Sequence, residues 1–268
     1  MTKAIITLLA LPALLLPAAS LTYILFKGAP ALSFDFIFTS GEGQGFGHSS
    51  GIFPQLIGSL LLALGAVLVA TPFALGTALY QQLLATPRQR RLLERFLNML
   101  QGIPPIVFGL FGLIVFVHLM RWGVSLATGA VILAIVILPM LILNSVAALA
   151  RIPHEYTAAA QSLGLSHGAV IWRVWLPQAW PGIATGLLLA IARALSETAP
   201  ILFTATVFSG VTWPDSIFDP VTSLQTHIFY LAQEGGSTTA IEVAWGSAAV
   251  LITTVALFSL LARWLRRL

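Results

Sequence analysis

The chain contains no cysteine. That excludes disulfides, thiolate catalysis and Cys-ligated metal sites, and leaves the compartment open. Charge is almost as scarce. Asp, Glu, Lys and Arg make up 8% of the residues, against about 25% in soluble domains. Hydrophobic residues supply 58%, with a mean hydropathy of +0.94. A soluble core does not account for that balance, so the composition is that of an all-α, polytopic helical membrane protein. A net charge of +4 would suit nucleic acid in another setting. Here the cations fall in short loops between apolar runs, and no nucleic-acid partner is expected. Two motifs are missing as well. There is no H-E-x-x-H and no G-x-x-x-x-G-K-[ST], so neither an intramembrane zinc protease nor ATP hydrolysis by this chain is expected. The histidines His48, His118, His154, His167 and His227 are scattered. The run Gly41-Glu42-Gly43-Gln44-Gly45-Phe46-Gly47 fits no nucleotide fingerprint and is expected to be a flexible exposed loop. Gly164-Leu165-Ser166-His167-Gly168 spells G-x-S-x-G, but an Ala-rich helical pattern precedes it instead of the strand a nucleophile elbow requires.

Six spans are expected. Residues 4–26 form the first. This predominantly apolar run of 23 residues exceeds the apolar stretch of a signal peptide, about 7–15 residues. Residues 52–84 form the second. As one helix they would run roughly 50 Å, more than the hydrocarbon core of about 30 Å, with Pro72 the expected kink. Residues 86–95 read as a basic loop with Arg88, Arg90, Arg91 and Arg95. The third span is 96–120. Near its start Gly102-Ile103-Pro104-Pro105 signals a break or a short re-entrant element. The fourth is 124–150, in which Asn144 is expected to bridge helices. Residues 151–180 are mixed and amphipathic, and read as two short helices joined by a turn at Gly164, outside the bilayer. The fifth span is 181–207, where Gly182 and Gly186 are spaced for close helix approach. A polar loop follows at 208–240, and then the sixth span at 241–262.

The fifth span carries Arg193-Ala194-Leu195-Ser196-Glu197-Thr198-Ala199-Pro200. Arg193 and Glu197 are i and i+4 and share a helix face. Ionisable residues inside spans face a protein interior or a wet cavity, and Pro200 cannot donate a backbone hydrogen bond. The stretch is therefore read as a buried functional seam. The alternative is an ion pair that only locks helix packing.

Charge placement sets the expected topology. With the N-terminus inside, inner segments hold ten of the 13 cations: Lys3, Arg88, Arg90, Arg91, Arg95, Arg151, Arg173, Arg263, Arg266 and Arg267. Outer loops hold only Lys27 and Arg121, with six of the nine acids. Both termini and the segment 151–180 are expected to be cytoplasmic.

Ala158-Ala159-Ala160-Gln161-Ser162-Leu163-Gly164, twelve residues before Leu176-Pro177, resembles the EAA loop of ABC importer permeases. The family's usual glutamate is replaced by Ala158, and Glu155 lies three residues earlier. Residues 102–113, 191–205, 220–224 and 244–246 are further similar to permeases of phosphate-specific importers. The Glu197-Thr198-Ala199-Pro200 ending resembles the A-type (PstA) members, with Ser196 in place of a usual glycine. The resemblance covers about residues 50–262. It implies the type I importer permease fold, with a first transmembrane helix at 1–27, a permease core at 28–262 that includes the coupling loop 151–180, and a basic tail at 263–268. It also implies alternating-access import of inorganic phosphate across a bacterial cytoplasmic membrane. The implied partners are a C-type second permease in a heterodimer, an ATPase dimer and a periplasmic phosphate-binding protein. ATP-Mg would be bound by the ATPase, with no cofactor and no metal in this chain. Arg193, Ser196, Glu197 and Thr198 would border the substrate pathway. Glu155, Ala158, Ala159, Ala160 and Gly164 would couple to the ATPase. The neighbouring readings are a permease for tungstate, molybdate or sulfate, and, in other classes, a membrane enzyme or a non-transporting scaffold.

Overall fold

The computed structural model describes residues 2–40, 51–207, 213–234 and 237–267. The glycine-rich run 41–47 lies outside them. Helix accounts for nearly every ordered element, and the one β contact among the described residues is an isolated bridge between Ser40 and Ile52. In hydrocarbon a helix satisfies its own backbone, which is why an apolar chain takes this form. In order the helices are α1 (Thr2–Gly28), α2 (Phe34–Phe38), α3 (Phe53–Leu83), α4 (Pro87–Gly102), α5 (Pro105–Gly112, prolonged by a π-helical turn Leu113–Leu119), α6 (Leu126–Leu149), α7 (His154–Ser162), α8 (His167–Val170), α9 (Leu176–Leu195), α10 (Ala199–Thr204), α11 (Leu224–Gln233) and α12 (Thr238–Leu265). A π-helical segment, Ile171–Trp175, joins α8 to α9.

Five of these stretches are long and apolar enough to cross a membrane. A sixth exists if α4 and α5 count as one broken span, because they meet at 86°. The expected third span is therefore two short helices and not one. The cause is local. Ile103 and Pro104 each precede a proline, which disfavours the helical region, and both are extended, with ψ of 127° and 132°. The expected basic loop at 86–95 is also a helix. Thr86 and Gln89 form a capping box: the Gln89 amide donates to the Thr86 hydroxyl at 3.4 Å, and the Thr86 amide donates to Gln89 Oε1 at 2.8 Å. Arg90 turns back to the end of α3 and donates to the carbonyls of Gln82 and Ala85 at 2.9 and 3.2 Å. Leu93 and Leu97 pack inward, while Leu92, Phe96 and Met99 are exposed.

The described residues divide into two compact units. One comprises 1–59, 208–213 and 222–254. In it Tyr23 of α1 meets Trp245 of α12 edge-on at 5.5 Å. A Cβ at Gly28 would lie 2.5 Å from the Trp245 carbonyl oxygen, so glycine permits that approach. The Ser59 hydroxyl accepts from the Leu224 amide at 2.8 Å and bonds Gln225 Oε1 at 2.8 Å, which secures the start of α11.

The other unit comprises 60–207, 214–221 and 255–268. Its core runs through Leu62, Leu133, Ile137, Leu141, Leu195 and Ile201. A helix leaves its first four amides without internal partners, and α6 satisfies all four. Leu126 donates to the Asp219 carbonyl at 2.9 Å and Ala127 to that of Ile217 at 2.8 Å. Thr128 donates to the Ser125 hydroxyl at 3.2 Å, and Ser125, the N-cap, donates its own amide to the Thr204 carbonyl at 3.0 Å. Against α6 lies α9, and the expected close approach is present. A Cβ at Gly182 would stand 2.6 Å from that of Ala148, and one at Gly186 would stand 3.1 Å from that of Asn144.

Candidate functional site

The charged stretch lies at a break in the apolar sequence. A proline at position 200 has no amide to donate, and its ring would press on the carbonyl of residue 196 in a continuing helix. The α-helix accordingly stops at Leu195, and α10 begins again at Ala199 with Pro200 in its first turn, where a missing amide is harmless. The fifth expected span is thus interrupted at 196–198. Ser196 donates its hydroxyl to the Ala192 carbonyl at 2.8 Å and is exposed, while Thr198 is half-buried. Arg193, in the last turn of α9, bonds Glu197 just past the break, Nη2 to Oε1 at 2.6 Å. The two side chains differ in exposure: 47% for Arg193 and 8% for Glu197. The carboxylate is held inside, and the guanidinium is pinned to it on one side. The remaining N–H donors of the fork stay accessible to an oxyanion, a group that guanidinium geometry suits.

A second stretch singled out in the sequence meets this break. A Cβ on Gly109 of α5 would lie 3.0 Å from the Pro200 Cα, and one on Gly112 would lie 2.8 Å from Thr204 Cγ2. These glycines let α5 lie directly on α10. Both belong to the 102–113 stretch, whose sequence does not announce this packing role. The available signal was small residues at intervals inside a bulky apolar run.

The residues expected to couple to an ATPase stand elsewhere. Helix α7 ends where Gly164 takes φ +77°, with the Leu165 amide donating to the Ala160 carbonyl at 3.2 Å, a left-handed stop that favours glycine. Glu155, Ala158 and Ala159 are exposed, and so are Tyr156 and Leu163; Ala160 is buried. Trp175 Nε1 donates to Thr157 Oγ1 at 3.0 Å and ties α7 to the next helix. That helix does not end before Pro177, as the two-short-helices reading expected. It runs from His167 to Leu195 as one element of 29 residues. The π segment just before Pro177 adds a residue to the turn and absorbs the missing amide. The two sets of residues thus stand toward opposite ends of one helix. No group of three or more metal-binding side chains occurs among the described residues.

Residues 70–268 match the family described as the binding-protein-dependent transport system inner membrane component. The chain belongs to this family. Among similar curated proteins is the probable ABC transporter permease protein YqgI of Bacillus subtilis, 32% identical over 91% of this chain and 86% of that one. The phosphate transport system permease protein PstA 2 of Mycobacterium tuberculosis is 33% identical, over 82% and 74%. PstA of Xylella fastidiosa strain Temecula1 is 32% identical, over 88% and 81%. Among solved structures, an amino acid ABC transporter shares the fold with a TM-score of 0.55 at 21% identity, over 80% of this chain and 92% of that one. The inward-facing MetNI methionine ABC transporter gives 0.59 at 16%, over 81% and 94%. The chain is therefore a multi-pass permease of the ABC importer type and not an enzyme. As such it works with an ATPase and a substrate-binding component.

Proposed function

We propose that this permease is the A-type subunit of a bacterial importer of inorganic phosphate. The reading rests on the ion pair at the α9–α10 break, in a chain whose relatives include proteins named as phosphate permeases. Phosphate passes Arg193 on its way between two permease subunits, this one and a C-type partner. Glu197 keeps the guanidinium oriented and offsets enough of its charge that the anion is released. Ser196 and Thr198 flank the route and offer hydroxyls to it. A periplasmic phosphate-binding protein delivers the anion at the outer face. Two ATPase subunits, which hold ATP-Mg, engage Glu155, Ala158, Ala159 and the end of α7 at Gly164 on the cytoplasmic face. Both termini lie on that same inner side of the cytoplasmic membrane.

Uptake of radiolabelled phosphate by cells expressing the whole importer tests this role. Arg193→Ala is expected to abolish uptake while the complex still assembles at wild-type levels; normal uptake by that variant rejects the role. Removing one member of a buried pair strands the other charge, whereas replacing both by apolar residues is often tolerated. The double variant Arg193→Leu/Glu197→Leu is therefore expected to assemble without transporting. Restored uptake in it would mean that the pair only locks the packing. Competition by tungstate, molybdate and sulfate reads the anion preference directly.

A further inference from the structure

The cavity on the α6–α9 face, away from the ion pair, has no part in the reading above. It has a volume of about 240 Å³. Asn144 and Ala148 line it from α6, Arg151 from two residues beyond its end, Gly182 and Gly186 from α9, and Arg266 from the chain past α12. Asn144 and Ala148 are four apart on one face of α6, Gly182 and Gly186 let α9 close directly on them, and the hollow opens beside that contact. Arg151 and Arg266 are the two cationic residues of its lining.

No acidic residue lines the cavity, and neither Arg151 nor Arg266 has a carboxylate within salt-bridge distance among the described residues. The helix ends beside them do not cancel this charge. Each C-terminus contributes roughly −0.5 of an elementary charge, so the ends of α6 and α12 leave about +1 of the two arginine charges uncompensated. Arginine forks suit phosphoryl oxygens, two donors to two acceptors. Asn144 adds a side-chain amide to the same lining. A second cavity, of about 190 Å³, adjoins the first through Ala148, Arg151, Pro181 and Gly182, and reaches Pro153 at the start of the loop that leads into α7.

We infer that Arg151 and Arg266, together with Asn144, form a binding site for a phosphoryl group, separate from the transport route and placed where the 151–180 loop leaves α6. The group is either the headgroup of an anionic lipid or free phosphate. Basic pockets between helices at a membrane's inner face take lipid headgroups, and the chemistry of free phosphate is the same. Occupancy ties the end of α6 to the end of α12 beside the loop. The inference does not depend on which anion the importer carries.

The test uses the full chain in its purified importer complex, without ATP or binding protein. One sample is in phosphatidylcholine nanodiscs and is titrated with radiolabelled inorganic phosphate. The other is in nanodiscs containing cardiolipin and is read by native mass spectrometry of retained lipid. Wild type is expected to bind in at least one arm, and the arm that responds identifies the source. Arg151→Gln/Arg266→Gln is expected to weaken that binding at least about tenfold, with Arg151→Gln alone giving a smaller loss. Arg193→Ala is expected to leave lipid retention unchanged, and in the phosphate arm to remove at most the share bound in the transport route. Three results overturn the inference: no binding by wild type in either arm, equal binding by the double variant, or complete loss of binding in Arg193→Ala. The first two would leave these arginines as determinants of topology only, and the third would assign the bound anion to the transport route. Loss of phosphate uptake plays no part in the readout, so the failure of one idea is distinguishable from the failure of the other.

Discussion

At the scale of single residues, the packing around the ion pair depends on side chains that are missing. A Cβ on Gly112 would stand 2.5 Å from Ile132 Cγ1, 2.7 Å from its Cδ1 and 2.8 Å from Thr204 Cγ2. Ile132 and Thr204 are both fully buried, so neither can swing into open space. Overpacking of this kind costs about 1–3 kcal/mol. Gly112→Ala is therefore expected to lower the thermal midpoint of the purified protein. Gly76→Ala serves as the control. Nothing lies within 4 Å of that Cβ position, and alanine is the better helix former, so its midpoint is expected to hold or rise. A matching drop in both variants would reject the packing account. Individual charges were the most legible feature of the sequence. Arg193 and Glu197 stand out in an apolar run, and their spacing alone gives the pair. The contact glycines were legible only in part. Gly182 and Gly186 announce a close approach by their spacing, but spacing does not say that Ala148 and Asn144 are what they approach. For Gly109 and Gly112 the partner, α10, lies some 90 residues away in the chain, and no local pattern encodes it.

At the scale of elements, the sequence was read well where an isolated rule decides and poorly where two rules compete. Ile103-Pro104-Pro105 breaks a helix, and it does. Around residues 86–95 the density of arginine argued for a loop, while Thr86 and Gln89 carried a capping box that argues for a helix. The helix prevails because Leu93 and Leu97 bury one of its faces. Likewise Pro177 argued for a stop, and the π segment before it allows the helix to continue. For α7, helix integrity is what the proposed coupling requires. Ala159 is exposed, so proline there disturbs no core contact, yet it removes the amide of residue 159 at about 3 kcal/mol within a nine-residue helix. In reconstituted importer, Ala159→Pro is expected to leave ATP hydrolysis running while phosphate uptake falls to background. An unchanged ratio of anion moved to ATP spent would remove this loop from the coupling route.

At the scale of the whole molecule, the excess of arginine and lysine on one set of loops makes a prediction about sides. The native absence of cysteine makes the measurement clean, since any single cysteine introduced is the only thiol present. Gln161→Cys and Arg267→Cys are expected to resist a membrane-impermeant maleimide in intact cells and to react after permeabilisation. Asp215→Cys, on the exposed 215–218 stretch, is expected to react at once. The opposite pattern would invert the chain and place α7 out of an ATPase's reach. The 29-residue helix from His167 to Leu195 has a mechanical consequence. It crosses α6 tightly at Gly182 and Gly186, about 25 Å from its His167 end but only about 14 Å from Arg193. A rod held at such a point behaves as a see-saw with unequal arms. A displacement at the long arm would reach Arg193 reversed in direction and reduced to roughly half.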